Sequence, residues 1–457
     1  MGSDYLGNAV TSDSPAVIAG VDDFVGGFLA YETRIERVVP AALAHPDATL
    51  LNAYAGLAYM FLESNEGPAL ARKHLAEAER TQAGANERER LNVALLRAWV
   101  EDDLPRALRI AEDISDRWPR DLAVVKLHQY WEFNRGNSPE MLRVVLKVEA
   151  VNRDVPHFHG MAAFAYEQCH LLAEAEQAAR TAVSLQRKEP WAQHALAHVL
   201  LTQGRIDEGI QFLESVRDTW VELNSFMHTH IWWHLAVFYL ARGRFAEALQ
   251  IYDTQVWGIV KSYSQDQIGA VQLLTRLEFS GVDVGDRWED LADHIAARGA
   301  DTVQPFLSLL YLLGLARAKR PEAQTLLEAI RERAQHAPDF VRSTWTDVAL
   351  PAAEGIYAWA QGDDETAIAQ LTIAVPRLLV IGGSHAQRDL FDQVLLAAIA
   401  RSGRVLAVQQ ALEVRRGGDP GNVPLNRALA DLYRRIGLPQ LADQAQARAE
   451  ATLAAAH

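Results

Sequence analysis

His230-Ile-Trp-Trp-His-Leu-Ala-Val-Phe-Tyr-Leu-Ala-Arg-Gly-Arg-Phe-Ala-Glu-Ala-Leu-Gln-Ile-Tyr-Asp253 reads as two short helices joined by a turn at Arg242-Gly243-Arg244. Trp232, Leu235, Ala236 and Tyr239 recur at helical spacing before the glycine, and Phe245, Ala248 and Tyr252 recur after it. Small Ala236 and Ala248 let the two helices approach, and the large residues fill the space between successive pairs. The same punctuation returns at Gly136, Gly204, Gly362, Gly403 and Gly437. Gly136 to Gly204 is two periods of 34 residues, and Gly403 to Gly437 is one.

A 34-residue helix–turn–helix unit with this signature resembles the tetratricopeptide repeat. Pro190 to Leu223 keeps the register with Leu196, Ala197, Leu200, Gly204 and Gly209, and weaker units begin near Leu51, Glu89, Leu122, Pro156, Val303, Phe340, Arg388 and Leu425. No segment alternates as a strand would, so the expected fold is all-α: a tetratricopeptide-like α-solenoid of antiparallel helix pairs. The register slips between Trp257 and Thr302, through Gly269, Gly281, Gly285 and Gly299. The expected division is a 1–21 N-terminal extension, a 22–260 array and a 261–457 array. A solenoid of this length can curl so that its two arrays enclose a pocket.

The 457 residues are 49% hydrophobic and 23% charged, typical of a chain that buries a core. No run approaches the roughly 18 apolar residues of a membrane helix, and the N-terminus lacks the basic and apolar regions of a secretory leader; the expectation is a cytoplasmic protein without membrane contact. The net charge of −15 argues against nucleic acid as a main partner. The single cysteine, Cys169, excludes an internal disulfide and any thiolate-rich zinc site. A bound metal would be held by nitrogen and oxygen.

Of the fifteen histidines, His128, His157, His159, His170, His194, His198, His228, His230 and His234 fall in one window where the repeat is clearest. In tetratricopeptide arrays the first helix of each pair lines the concave face. Carried onto this register, the inner places hold His157 and Glu167 in one repeat, His194 and His198 in the next, and His230 in the third; His234 falls one place round. His194/His198 and His230/His234 are i,i+4 pairs, the spacing at which one helix offers two imidazoles to one ion. Such a set suits a divalent transition metal such as zinc, iron or manganese, with Glu167 as a ligand or general base. Trp233, at an inner place, is a candidate ligand-contacting aromatic, and Trp232 reads as packing between helices. His128 reads as a core histidine, His159 and His170 as structural, the latter in place of a turn glycine, and His228 as a residue preceding its helix. Cys169 and His170 point apart as helix neighbours and do not make a thiol–imidazole pair.

Ile381-Gly-Gly-Ser-His-Ala-Gln-Arg-Asp389 is the one conspicuous C-terminal constellation. Ser384 with Gln387 three residues on is a capping-box pattern, and Gly382-Gly383 permits a sharp turn. The bland reading is a well-capped helix start. The functional one is a helix N-terminus that receives an anionic group, with Ser384, Gln387, Arg388 and Asp389 contacting substrate. No phosphate-binding loop, dinucleotide fingerprint, nucleophile elbow or HExxH zinc motif is present in the sequence.

Glu87-Arg-Glu-Arg-Leu91, Trp191 through His198, Trp233-His-Leu-Ala236, Ala246 through Asp253 and above all Gly382 through Asp389 resemble the tetratricopeptide repeat protein 38 family, over about Phe24 to Ala430. The resemblance implies an all-helical array whose C-terminal half is built around the Gly-Gly-Ser segment. It includes Glu167, His194, His198, His230, His234, Gln387, Arg388 and Asp389; His157 and His159 have no counterpart in it, and the family can carry Asn at His385. It brings no reaction with it.

Two functions follow. One is an enzyme or small-molecule binder with Glu167, His194, His198, His230 and His234 as catalytic residues, the histidines as metal ligands, and metal-assisted hydrolysis of a small anionic substrate as its reaction. The alternative is a scaffold that takes a peptide or protein partner in the concave groove, without catalysis.

Overall fold

The turn glycines punctuate the structure where the periodicity places them. In the computed structural model, which describes residues 2–455, Gly136, Gly204, Gly243, Gly362, Gly403 and Gly437 all adopt positive φ, between 67° and 84°. Each separates two antiparallel helices: Leu122–Asn134 from Ser138–Leu146, Pro190–Thr202 from Ile206–Val216, Ser225–Ala241 from Phe245–Ile251, Leu350–Gln361 from Asp364–Ala374, His385–Arg401 from Val405–Gly418, and Val423–Arg435 from Pro439–Ala455. His170 takes the same left-handed conformation, φ 57°, at the turn after helix Pro156–Gln168, in line with its reading as a glycine substitute. The fold is all-α, a tetratricopeptide-like solenoid of helix pairs.

Local chemistry sets where helices start. Asn86, Asp103, Asp121, Asp363, Ser384 and Asn422 each accept a backbone N–H of the first turn of the helix that follows, satisfying donors a helix cannot bond internally. Small residues then set how closely pairs pack. Ala175, Ala179 and Ala182 form a fully buried stripe on helix Leu172–Leu185, and Gly209 lies under the Phe238 ring, 2.2 Å from where a Cβ would stand.

The chain forms two compact units, Met1–Leu196 with Thr219–Met227, and Ala197–Asp218 with His228–His457. This division falls within helices Pro190–Thr202 and Ser225–Ala241, whereas the register slip suggested 260/261.

In the first unit, the stretch expected as an extension is structured. Strands Gly2–Ser3 and Ala9–Val10 pair antiparallel, and helix Pro15–Ala30 follows. The hairpin is the one sheet among the described residues, and its two-residue strands are too short to show alternation. Its backbone is stitched to the helices: Arg88 donates to the Ala9 carbonyl at 3.0 Å, and Glu89 accepts from Thr11 N–H at 2.7 Å. Arg88 also pairs with Asp121 at 2.7 Å, both side chains almost wholly buried. Lys126, also buried, donates to the Phe28 and Leu29 carbonyls at 2.7 and 2.9 Å, at the C-terminus of helix Pro15–Ala30, and lies 3.5 Å from the Tyr31 ring centroid. A cation there meets the negative end of the helix dipole.

In the second unit, segments from the two expected arrays pack into one body. Arg242 donates to Asp207 at 2.8 Å and to Asp419 at 3.0 Å, tying the Gly243 repeat to the loop after helix Val405–Gly418. Gly204 approaches that loop so closely that a Cβ would stand 2.1 Å from the Gly418 carbonyl oxygen. Its positive φ and this backbone neighbour both require glycine.

Candidate metal centre

Helix Pro190–Thr202 carries His194 and His198 one turn apart, and helix Ser225–Ala241 carries His230 and His234 one turn apart. In the second unit, His198, His230 and His234 come together, with one ligand-competent nitrogen of each lying within 4.8 Å of the others. The rings of His198 and His234 are 4.6 Å apart by centroid; those of His230 and His234 are 4.8 Å apart and nearly perpendicular, at 89°. His385, the first residue of helix His385–Arg401, brings a fourth imidazole, 5.3 Å from His198 and hydrogen-bonded through Nε2 to Thr202 Oγ1 at 2.8 Å.

His198 and His234 are fully buried, while His230 and His385 keep partial exposure. Burial, and then the neighbouring His198, pushes His230 down to about 3, so its imidazole is neutral at neutral pH. A neutral imidazole offers a lone pair. Tetrahedral zinc with Zn–N of about 2.0–2.1 Å needs ligand nitrogens roughly 3.3 Å apart, closer than the 4.8 Å within which these nitrogens lie. Three histidines so placed, one of them partly exposed, are a donor set that fits a divalent transition ion.

Glu167 belongs to the first unit, fully buried, and its Oε2 accepts from Gln168 Nε2 at 2.6 Å. His194 is in that unit too, stacked on Trp191 at 4.5 Å and 5.3 Å from Phe164. His157 hydrogen-bonds through Nδ1 to Glu189 Oε1 at 3.0 Å, and Glu189 Oε2 accepts the Ala192 N–H. Glu189 thus caps the helix that carries His194 and His198, a role the sequence reading missed. Gly160 beside it leaves room for the carboxylate, since a Cβ there would stand 2.8 Å from Glu189 Oε2. His159 bonds the Arg153 carbonyl at 2.9 Å. His228 lies inside its helix rather than before it, because the helix begins at Ser225, and it bonds Gln255 at 3.0 Å.

Trp233 is 1% exposed, and Trp232 is partly exposed. The Trp233 ring is parallel to that of His230, at 5.7 Å, and the Arg276 guanidinium lies 5.1 Å from its centroid.

In the Gly-Gly-Ser segment the capping box forms. Ser384 Oγ accepts the Gln387 N–H at 3.3 Å, and Gln387 Oε1 accepts the Ser384 N–H at 3.0 Å. The Arg388 guanidinium turns back to donate to the Gly383 carbonyl. Asp389 accepts from Arg415 at 2.8 Å and from Gln393 at 2.5 Å. Burial opposes the Asp389 charge, but Arg415 and Arg276 together hold its carboxyl below the usual range, so it is ionised. Ser384, Gln387 and Arg388 thus bond within the helix start, and Asp389 bonds Gln393 and Arg415.

A second group of ligand-competent atoms in the first unit, Glu112, His128 and Glu140, does not fit a divalent ion. Arg143 pairs with both carboxylates, at 2.8 and 2.6 Å, and Lys147 takes Glu112 at 2.8 Å, so protein cations already neutralise them. His128 is buried, as expected of a core histidine, and pushed down to about 4, chiefly by desolvation. Among the described residues no helix is long and apolar enough to cross a membrane.

No protein-family model matches the chain. Among solved structures, the human IFIT1 dimer with m7Gppp-AAAA matches at 16% identity over 94% of this chain and 95% of that one, with a TM-score of 0.43. The human IFIT1 dimer with PPP-AAAA matches at 15% over 94% of each chain, with a TM-score of 0.42. The APC/C hetero-tetramer Cut9-Hcn1 matches at 14% over 96% of this chain and 86% of that one, with a TM-score of 0.28. At these identities the likeness concerns helical-repeat architecture alone.

Proposed function

We propose that this protein is a ligand-binding helical-repeat protein whose second unit holds a divalent transition metal, zinc, iron or manganese, on His198, His230 and His234. The observation that carries the reading is the convergence of three imidazoles, two of them fully buried, with ligand nitrogens within 4.8 Å. His385, 5.3 Å from His198 by ring centroid, is the further imidazole of this unit that would support the ion. When bound, the metal supplies a Lewis acid to a small molecule in the recess, and metal-assisted hydrolysis of a small substrate with an anionic group is the candidate reaction. The helices fix the imidazole positions, and burial keeps the His230 ring neutral with a lone pair to donate. We also read Gly382 through Asp389 as the mark of the tetratricopeptide repeat protein 38 family.

Titration of the protein with cobalt(II), followed by visible absorption, tests the metal reading. Bands that saturate at about one equivalent, and that are lost in His198→Ala and His234→Ala, are expected; a protein that develops none refutes it. The broader reading, a scaffold that receives a peptide or protein partner without catalysis, then remains. It is supported by the tetratricopeptide-like architecture itself. Net charge was the only ground for expecting no nucleic-acid ligand, and that exclusion forms no part of the proposal.

A further inference from the structure

Arg276 is a buried cation with no direct counter-ion. Its side chain rises from helix Ser264–Phe279, and the residue is 6% exposed. Nη1 donates to the Gln272 carbonyl at 3.2 Å, and Nη2 donates to the Ala386 carbonyl at 2.7 Å. The guanidinium lies over the Trp233 ring. Among the described residues no carboxylate pairs with it; Asp389 acts on it only through space, since its oxygens are engaged by Arg415 and Gln393. A guanidinium has five N–H donors, and two protein bonds leave three without a protein acceptor.

Burying a guanidinium this deeply is costly unless its donors and its charge are met. Two neutral carbonyls and an aromatic face meet them only in part. The same residue joins both sides of the imidazole recess: Trp233 is the neighbour of His234 and parallel to His230, and Ala386 is the neighbour of His385. Asp389, which acts on the guanidinium through space, has a side chain 36% exposed to solvent. An anion reaching Arg276 from that side would meet a planar cation that lies over an aromatic ring.

We propose that Arg276 is the anion-binding residue of this recess and that the group it receives is a planar monocarboxylate, held by paired N–H···O bonds beside His230 and His234. The inference deepens the reading of this recess as a ligand site by naming the ligand class and the residue that selects it. A carboxylate presents two oxygens in the geometry of the guanidinium fork. One negative charge matches one guanidinium that no carboxylate bonds directly, whereas a phosphate dianion would be repelled about twice as strongly by the ionised Asp389. Burial lowers the guanidinium to about 10, so it stays charged at neutral pH. Arg388, the cation the sequence suggested for this task, is turned toward the Gly383 carbonyl.

The test is calorimetric titration of the full chain, treated with EDTA, with acetate, benzoate, benzamide and inorganic phosphate. One of the two carboxylates is expected to bind at least about tenfold more tightly than benzamide and phosphate, with Arg276→Lys weakening it about tenfold or more. Arg276→Lys keeps the charge but loses the fork, and its thermal unfolding reports whether it folds. Should it not fold, arginine-labelled wild-type protein gives the second readout: one guanidinium Nε–H resonance shifting with carboxylate and not with benzamide. The proposal is overturned if neither carboxylate binds up to about 10 mM, if phosphate binds as well, if folded Arg276→Lys binds equally, or if no guanidinium resonance moves. Because the titration is made without metal, its failure is separate from that of the metal reading, which the cobalt titration decides.

Discussion

The imidazoles of His198 and His234 lie 4.6 Å apart, on the first helices of successive repeats. A repeat of about 34 residues sets like positions of neighbouring first helices side by side, at an interaxial spacing of about 8–10 Å that two inward-pointing imidazoles span. The cluster is therefore a consequence of the repeat register. Residues one turn earlier, His194 and His230, follow from the same helical periodicity.

His128 predicts acid sensitivity in the first unit. Its folded-state value of about 4 lies below the usual 6.5, so the unfolded chain takes up the proton first. The stability of its surroundings is unaffected above about pH 6.5 and is lost progressively as pH falls toward 4, by about 2 kcal/mol at pH 5. Hydrogen-exchange protection in helix Leu122–Asn134 should fall over that range in the wild type and less in His128→Gln. Equal pH dependence in both would contradict the assignment.

Gly383 and Gly362 both have positive φ but differ in surroundings. A Cβ on Gly383 would stand 2.6 Å from the Phe306 ring, whereas nothing lies within 4 Å of one on Gly362. Gly362→Ala should cost about 1 kcal/mol, the conformational term alone. Gly383→Ala adds an overlap with a buried aromatic ring and should cost at least about 2 kcal/mol. Urea unfolding of the two variants reads the difference, and equal losses would show that Phe306 yields freely.

The Arg88–Asp121 pair should be intolerant of one-sided change. Both side chains are almost wholly buried and 2.7 Å apart. Arg88→Met leaves the Asp121 carboxylate buried without its cation, an expected loss of roughly 3–5 kcal/mol. Joint replacement, Arg88→Met with Asp121→Asn, should recover part of it. A double-variant cycle without coupling would refute the pairing.

Ser384→Ala removes one half of the capping box and should destabilise the start of helix His385–Arg401 by about 1 kcal/mol. Because His385 is the first residue of that helix, the Thr202–His385 hydrogen bond should loosen with it, seen as a shifted His385 imidazole resonance. An unchanged resonance would mean that packing alone holds His385.

Helix pairs, their turns and the two i,i+4 histidine pairs were legible because they depend on short-range periodicity and on glycine at left-handed turns. The capping box at Ser384 and Gln387 was legible for the same reason. Arg276 was not: a charged residue on a helix ordinarily faces water, and its burial arises from the Ala386 carbonyl, far along the chain. Glu189 was missed because Glu is not among the residues favoured at a helix N-cap, and its second bond, to His157, is tertiary. The strands at Gly2–Ser3 and Ala9–Val10 exist through contacts with helices such as the Arg88 bond to Ala9, which no local pattern encodes.

The most direct test of the metal centre is elemental analysis of protein purified without an affinity tag, dialysed after exposure to zinc, iron(II) and manganese(II) in turn. About one transition-metal ion per chain is predicted for one of them, with affinity about 100-fold weaker in His198→Ala with His234→Ala. Wild-type protein that retains no transition metal, or a double variant that retains it equally, would contradict the proposal.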